Sequence, residues 1–110
     1  MEVKRGAVVL CAARGDYGKP RPAVVVQSDL FNPTHASVTI FPLTSDLEEA
    51  GLVRLKIKPV LSNGLKKASQ VKIDKISTLA EKRIGKVIGR ASDSEMKAVD
   101  AALKLWLALD

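Results

Sequence analysis

Short runs of branched apolar residues, separated by turn-forming residues, fill most of this 110-residue chain. In several of them apolar and polar residues alternate with a period of two, which is the pattern of a strand with one buried face. The runs predict strands at residues 6–13, 23–28, 37–43, 52–58 and 71–76. Turn signals such as Asn32-Pro33 and Ser62-Asn63-Gly64 lie between them. This spacing favours a small barrel or sandwich over parallel βαβ units.

The end of the chain has a different period. The segment Ser92-Asp93-Ser94-Glu95 is a capping box, which predicts that a helix begins there and extends over about 93–109. Apolar residues then recur every three or four positions, at Met96, Val99, Leu103 and Trp106. The apolar arc is wider than packing on one side requires. We therefore expect the helix to bury a second side, under a loop or against another subunit.

The chain has the size of one domain, residues 1–110, and its charge is uneven. Its net charge is +6, but residues 1–90 carry +8 and the last twenty residues carry −2. A basic body indicates a polyanionic partner, because neutralisation of phosphates supplies most nonspecific affinity for nucleic acids. A charge that only keeps the surface soluble is the alternative.

Several classes of protein are excluded by the sequence. The longest apolar run, residues 7–13, is too short to span a membrane, and the start of the chain lacks a signal-peptide pattern, so we expect a cytoplasmic protein. Cys11 and His35 are the only residues of their types, which excludes an intrachain disulfide, a structural zinc site and a two-histidine nuclease. No Asp/Glu cluster has metal-ligand spacing. The sequence thus predicts neither a metal nor a cofactor.

A proline-rich loop precedes the second predicted strand. In the segment Gly18-Lys19-Pro20-Arg21-Pro22, two prolines fix the backbone on either side of the arginine, and the glycine permits a tight approach. A rigid loop that presents a guanidinium group suits binding of a phosphate or a phosphorane, because arginine offers planar, bidentate donors. A stiff loop with an incidental surface arginine explains the spacing equally well.

Polar groups also mark the later strands. Thr44 and Ser45 end the third predicted strand with adjacent hydroxyls, which either cap a turn or donate to phosphate oxygens. Lys72 and Asp74 share one face of the predicted strand 71–76, where they could supply an acid and a base for attack by a ribose 2′-hydroxyl. Taken alone, that pair is more typical of a solvated cross-strand ion pair.

In combination, these segments resemble the MazF/PemK toxin family. The resemblance is carried in order by GKPRPAVVVQSDLFN, VTIFPLTS, SQVKIDKIST, RIGKVIGR and a leucine-rich final helix, from Arg5 to Leu109. It implies a mainly β (α+β) fold, an SH3-like small barrel of the MazF/PemK/CcdB type with a C-terminal helix. It also implies a homodimer, a cognate antitoxin, and metal-independent cleavage of single-stranded RNA to a 2′,3′-cyclic phosphate and a 5′-hydroxyl.

The resemblance also suggests residues for the chemistry. By motif, Arg21 matches the active-site arginine of the family and Thr44 its active-site threonine. Asp74 and Lys72 fall where some members place a carboxylate base and a cationic acid, although many have arginine in place of Lys72. Without a metal, the reaction needs a base, an acid and positive charge on the phosphorane, and these four residues could supply them.

Further residues are candidates for RNA binding. Lys19 lies two residues before Arg21, and Ser45 directly follows Thr44. The two aromatic residues Tyr17 and Phe31 could stack on unpaired bases or simply pack within their loops. The loop before the matched arginine is shorter than in many relatives and contains Asp16 and Tyr17 where they have a Glu-Gln pair. The RNA sequence that is recognised therefore does not follow from the resemblance.

Two other functions fit the same resemblance. Gyrase-poisoning toxins share the fold, have no nuclease activity and bind the topoisomerase through C-terminal residues that include a tryptophan. The only tryptophan of this chain, Trp106, lies near its end. Because it lies on the apolar stripe of the final helix, we expect it to pack in the core, and we favour the endoribonuclease. A non-catalytic RNA-binding barrel is the remaining alternative.

Overall fold

The computed structural model describes residues 3–12, 19–49 and 51–110. Seven strands lie in this part of the chain: β1 (Ala7–Cys11), β2 (Arg21–Val25), β3 (Ser37–Thr44), β4 (Arg54–Ile57), β5 (Ser69–Lys72), β6 (Ser77–Ala80) and β7 (Ile84–Arg90). They are followed by one α-helix, α1 (Asp93–Leu107). Short 3-10 turns precede β4, β5, β6 and β7, at Gly51–Val53, Leu61–Asn63, Ile73–Lys75 and Glu81–Arg83.

The strands form an antiparallel sheet in the order β4-β5-β3-β2-β1-β7, and β3 is its centre. One edge of β3 pairs with β2. The other edge pairs first with β6 and then, at Leu43 and Thr44, with β5, so that the turn Ile73–Lys75 forms the corner between these two partners. The predicted small barrel-like fold with a terminal helix is confirmed, although β4 and β7 lie at the open ends of the ladder that the described strands form.

The central strands are buried on both faces. Alternate residues of a strand point to opposite faces, and here one face contributes Val24, Phe41 and Val71 to the cluster beneath α1. The other face contributes Val9 and Ile40 to a second cluster that β6 and β7 partly cover. Burial on both faces explains why residues 6–13 and 23–28 are continuous apolar runs rather than alternating ones.

The capping box at the start of α1 forms as predicted. Ser92 Oγ accepts a hydrogen bond from the Glu95 backbone N–H at 3.1 Å, and the Glu95 carboxylate accepts one from the Ser92 N–H at 2.8 Å. Met96 and Val99 are buried against the sheet.

The far end of α1 differs from the prediction. The expectation that Trp106 packs in the core is wrong for the single chain, because its side chain is 49% exposed. The main contacts of α1 outside its own chain segment are with the turns Gly51–Val53 and Ile73–Lys75 and with β4, and the side chains of its last turn are exposed. In the described part of the chain, no helix has the length and apolar character needed to cross a bilayer.

The predicted strands differ from the structure in several places: β6 and β7 lie outside the predicted runs, and β2 occupies Arg21–Val25 rather than residues 23–28. Residues 71–76 do not form one strand, because β5 ends at Lys72 and the turn Ile73–Lys75 follows. Residues 52–58 begin in the turn Gly51–Val53, so that β4 starts only at Arg54. In residues 71–76 the apolar alternation continues across a corner of the sheet, because the corner residue Ile73 is buried like a strand residue.

The connection between β4 and β5 lies against β7 with almost no space between the two backbones. Gly64 has φ +71°, and a Cβ atom there would lie 2.1 Å from the carbonyl oxygen of Ile88. A Cβ atom on Gly89 would lie 2.3 Å from the carbonyl carbon of Asn63. The buried Asn63 fixes this connection, since its Oδ1 accepts from two backbone N–H groups and its Nδ2 donates to the carbonyl of Lys58 at 2.8 Å.

Candidate active site

Arg21 and Thr44 lie at the same end of two neighbouring strands. The β2–β3 ladder pairs Ala23 with Pro42, and the same register continued by two residues places Arg21 opposite Thr44. On its other side, Arg21 is paired with Cys11 of β1. Arg21 is exposed, whereas Cys11 is buried. The fold thus brings together the two residues for which the motif match is most specific.

The hydroxyl of Thr44 also closes a turn. Its Oγ1 accepts a hydrogen bond from the Asp46 backbone N–H at 3.1 Å, so that the plain structural interpretation of this residue holds. A threonine hydroxyl has one donor hydrogen besides its acceptor lone pairs. The bond to Asp46 uses a lone pair and fixes the oxygen, which leaves the O–H able to donate to a phosphate. Ser45 lies next to it in the exposed bend.

Sequence reasoning missed Gln70, which holds the loop after Thr44. Gln70 is paired with Thr44 across β3 and β5 and is only 3% exposed. Its Nε2 donates to the Glu48 carbonyl at 2.8 Å, and its Oε1 accepts from the Glu48 N–H at 3.0 Å. Its neighbours Ser69 and Val71 gave no sign that it is buried, and the predicted strand began one residue later.

Arg54 completes this support. Its guanidinium donates to Gln70 Oε1 at 3.3 Å and to the Asp46 carbonyl at 3.4 Å, and it pairs with the Glu48 carboxylate at 3.4 Å. The side chain is only 14% exposed. Arg54 therefore fixes the loop that follows Thr44, and its charge is balanced by Glu48.

The predicted arrangement of Lys72 and Asp74 is wrong in one respect. Lys72 ends β5, opposite Arg54, and lies on the same face as Gln70 because the two are separated by two residues of a strand. Asp74 lies instead in the turn Ile73–Lys75, where its carboxylate is 3.8 Å from the ammonium of Lys75. The corner of the sheet removes the shared strand face, so the two residues do not form a cross-strand pair.

The candidate RNA contacts lie in different places. Lys19 is exposed just before β2 and so is adjacent to Arg21. Tyr17, with Asp16, lies outside the described residues. Phe31 is 52% exposed, but its loop joins the end of β2 to the start of β3. That is the opposite end of these strands from Arg21, so one chain does not bring Phe31 to the candidate site.

The loop that carries Phe31 is held by side-chain amides. Gln27 and Asn32 bond to each other and to nearby backbone groups, and Asn32 also donates to the Asp29 carboxylate at 2.9 Å. The Arg5 backbone N–H donates to the same carboxylate at 2.8 Å, and these bonds hold the pKa of Asp29 below its usual range. Phe31 is therefore presented on a well-braced loop.

Metal-ligand geometry is not found in the described segments: no three or more His, Cys, Asp or Glu side chains are grouped so that they could hold a metal ion. Next to Arg21 and Thr44 in the chain lie instead a cation and a hydroxyl, those of the exposed residues Lys19 and Ser45, whereas the amide of the buried Gln70 is bonded to the backbone of Glu48. This donor set suits an anion.

Comparison with known proteins identifies relatives along almost the whole chain. The sequence model of the family described as "PemK-like, MazF-like toxin of type II toxin-antitoxin system" matches residues 4–107. A protein of Mycolicibacterium smegmatis named "Probable endoribonuclease MazF" is 38% identical over 108 residues, which cover 97% of this chain and 98% of that protein. "Endoribonuclease MazF9" of Mycobacterium tuberculosis is 32% identical over 93% of this chain and 91% of its own length. Among solved structures, an "Endoribonuclease in complex with its cognate antitoxin from Mycobacterial species" superposes with a TM-score of 0.81 at 26% identity, covering 97% of this chain and 96% of that one.

Proposed function

The chain belongs to the family of PemK-like, MazF-like toxins of type II toxin–antitoxin systems, and from this premise we propose that it is a cytoplasmic, sequence-specific endoribonuclease that cleaves single-stranded RNA without a metal ion. The single observation that carries the proposal is the β2–β3 register, which, continued from the Ala23–Pro42 pair, brings Arg21 and Thr44 to the same end of the two strands. The names of the two sequence relatives support it, since both are called endoribonucleases.

The proposed reaction is transesterification at phosphorus. The ribose 2′-hydroxyl loses its proton and attacks the adjacent phosphate, and the 5′-oxygen of the next nucleotide leaves with a proton, which gives a 2′,3′-cyclic phosphate and a 5′-hydroxyl. Arg21 stabilises the negative charge of the phosphorane, because its two parallel N–H donors match two phosphate oxygens. Thr44, assisted by Ser45, orients the phosphate through its hydroxyl donor.

Proton transfer is assigned in the proposal to Asp74 and Lys72. Asp74 accepts the proton of the 2′-hydroxyl, and Lys72 protonates the leaving oxygen. Lys72 ends β5 and Asp74 lies in the turn that follows it, so the proposed acid and base are two residues apart in the chain. Lys19 supplies a further phosphate contact, while Tyr17 and Phe31 remain the proposed stacking partners for bases, the latter from the partner subunit or from a distant part of the RNA.

We expect the protein to act as a homodimer, because the last turns of α1 leave an apolar surface uncovered. Its members are about half exposed: Leu105, Trp106, Leu107 and, just beyond the helix, Leu109. Stable interfaces bury on the order of 1,200–2,000 Å² in total. Light scattering should give twice the chain mass of 11.8 kDa at micromolar concentration.

Trp106→Glu should weaken this dimer about 30-fold or more, since buried tryptophans carry much of the binding energy of interfaces. The matched control is Leu61→Glu, which changes a side chain that is fully exposed on the turn Leu61–Asn63 and should leave the mass unchanged. A wild-type protein that remains a monomer throughout would contradict the homodimer.

The antitoxin is proposed to block RNA by covering the groove at Arg21 and Thr44 with an acidic, partly disordered segment. The basic body of the toxin attracts such a segment, which orders as it binds. Raising the salt concentration from about 50 to about 500 mM should therefore weaken the complex, as measured by isothermal titration calorimetry. A complex that is insensitive to salt, and that still cleaves RNA, would contradict this mode of inhibition.

The exposure of Trp106 also supports a second candidate function. The resemblance implies that gyrase-poisoning toxins of this fold bind the topoisomerase through C-terminal residues that include a tryptophan, and the expected burial of Trp106, which argued against this function, is not observed. Two assays separate the candidates: incubation of the purified protein with RNA in EDTA, and inhibition of gyrase. We expect discrete RNA fragments and no effect on gyrase. Gyrase inhibition with intact RNA would favour the second function, and binding of RNA without either activity would indicate a non-catalytic RNA-binding barrel.

A further inference from the structure

The positive charge of the chain is concentrated in one hairpin. Residues 54–75 contain seven Lys or Arg residues and one carboxylate, a net charge of +6 that equals the charge of the whole chain. Most of this segment is the hairpin of β4 and β5, which are paired from Arg54 and Lys72 to Ile57 and Ser69. The rest of the chain is neutral in sum. A polyanion is therefore attracted to this hairpin more than to any other large segment.

A row of opposed residues joins the candidate active site to the hairpin. Thr44 on β3 is paired with Gln70 on β5, and Gln70 is paired with Lys56 on β4. The continued β2–β3 register adds Arg21 at the other end of the row. Directly opposed residues of antiparallel strands have their side chains on the same face. Since neighbouring strands are about 4.8 Å apart, the backbone of Lys56 lies about 10 Å from that of Thr44.

The outer lysines of the hairpin are available to a ligand. The charge of Arg54 is neutralised by its ion pair with Glu48. Lys56 and Lys58 are exposed, and within the described ranges neither has a carboxylate oxygen within 4.0 Å. The backbone at Lys58 is fixed by the hydrogen bond from Asn63 to its carbonyl. Two exposed cations thus project from a backbone that is held in place.

We propose that Lys56 and Lys58 bind phosphates of the substrate RNA on one side of the scissile bond, so that the single strand runs from Arg21 and Thr44 over the loop that covers Gln70 and onto β4. The proposal rests on the proposed function and adds to it a phosphate-binding track outside the reacting atoms. Contacts remote from the reacting phosphate bind the ground state and the transition state alike, so removing them raises KM and leaves kcat unchanged. An acidic protein segment would also be attracted to the hairpin, but the continuity of the row with Arg21 and Thr44 favours RNA.

The test is the double variant Lys56→Gln/Lys58→Gln, compared with Lys82→Gln/Lys97→Gln, which removes the same charge from two exposed lysines outside the hairpin. With an RNA that extends well beyond the cut site on both sides, the first variant should raise KM about tenfold. Binding of a 2′-O-methyl RNA of the same sequence, which cannot be cut, should show a salt slope (log affinity against log salt) that is smaller by about 1.4, or about 0.7 for each phosphate that the variant no longer neutralises. The control variant should change neither quantity.

Equal KM values and equal salt slopes for the two double variants would overturn the proposal even if the protein cuts RNA normally. The proposal would also be overturned if the hairpin variant lost affinity for the antitoxin but not for RNA. If the wild-type protein binds RNA but does not cut it, the proposed function fails. The salt slope with 2′-O-methyl RNA still shows whether Lys56 and Lys58 bind phosphates.

Discussion

Arg21→Ala is expected to lower the single-turnover rate of RNA cleavage by at least about 10²–10³-fold, the usual cost of removing one preorganised donor from a developing charge. The guanidinium meets the greatest negative charge in the phosphorane, so its contribution is larger in the transition state than in the bound substrate. RNA affinity should decrease only modestly, because the other phosphate-binding cations remain. The measurements are single-turnover cleavage and an RNA-binding titration on the same folded protein.

Two further variants sharpen this test. Arg21→Lys should restore little of the rate, because a point charge does not reproduce the bidentate guanidinium. Thr44→Ala should give a smaller but clear defect, since it removes an orienting donor and also the acceptor for the Asp46 N–H. An Arg21→Ala protein that cuts RNA at nearly the wild-type rate would overturn the site assignment, whatever the fold.

Gly89→Ala is expected to reduce the free energy of unfolding by more than about 3 kcal/mol, beyond the usual cost of overpacking, because the added Cβ atom would overlap backbone rather than a movable side chain. It would lie 2.3 Å from the carbonyl carbon of Asn63, so the β4–β5 connection and β7 must separate. Equilibrium unfolding in guanidinium chloride measures the change, at one protein concentration because dimerisation adds to apparent stability.

The matched control is Gly85→Ala on the same strand. Its Cβ atom would come closest to the carbonyl oxygen of Leu10, at 3.0 Å, and should cost about 1 kcal/mol or less. Equal stabilities of the two variants would show that the close approach at Gly89 is not required by the fold.

Features that depend on neighbouring residues were predictable from the sequence. The Ser92–Glu95 capping box and the following apolar stripe predicted α1 with a start at the observed residue. The strands β1, β2 and β3 were recognisable because their apolar side chains pack on both faces of the sheet. Arg21 and Thr44 were singled out by their match to motifs of the MazF/PemK family, and their catalytic role stays a prediction.

Features that depend on where an element ends in space were not predictable in this way. Trp106 continues the stripe of α1, but nothing in a helical period shows that this turn lies beyond the contacts of the helix with the rest of the chain. The corner at Ile73–Lys75 keeps an apolar residue buried, so the alternation hides the end of β5. Gln70 was missed because its importance comes from a loop 22 residues earlier in the chain, with which it forms two hydrogen bonds.

The central claim is that the 2′-hydroxyl at the cut site is the nucleophile and that no metal ion takes part. The most direct measurement compares a defined RNA with the same RNA bearing one 2′-deoxy nucleotide on the 5′ side of the cut, both incubated with the protein in excess EDTA, with analysis of the product ends. The account predicts that the all-ribose RNA is cut to a 2′,3′-cyclic phosphate and a 5′-hydroxyl, and that the deoxy-substituted RNA stays intact at that site. Cleavage of the deoxy-substituted RNA, a 5′-phosphate on the product, or the absence of all cleavage in EDTA would contradict it.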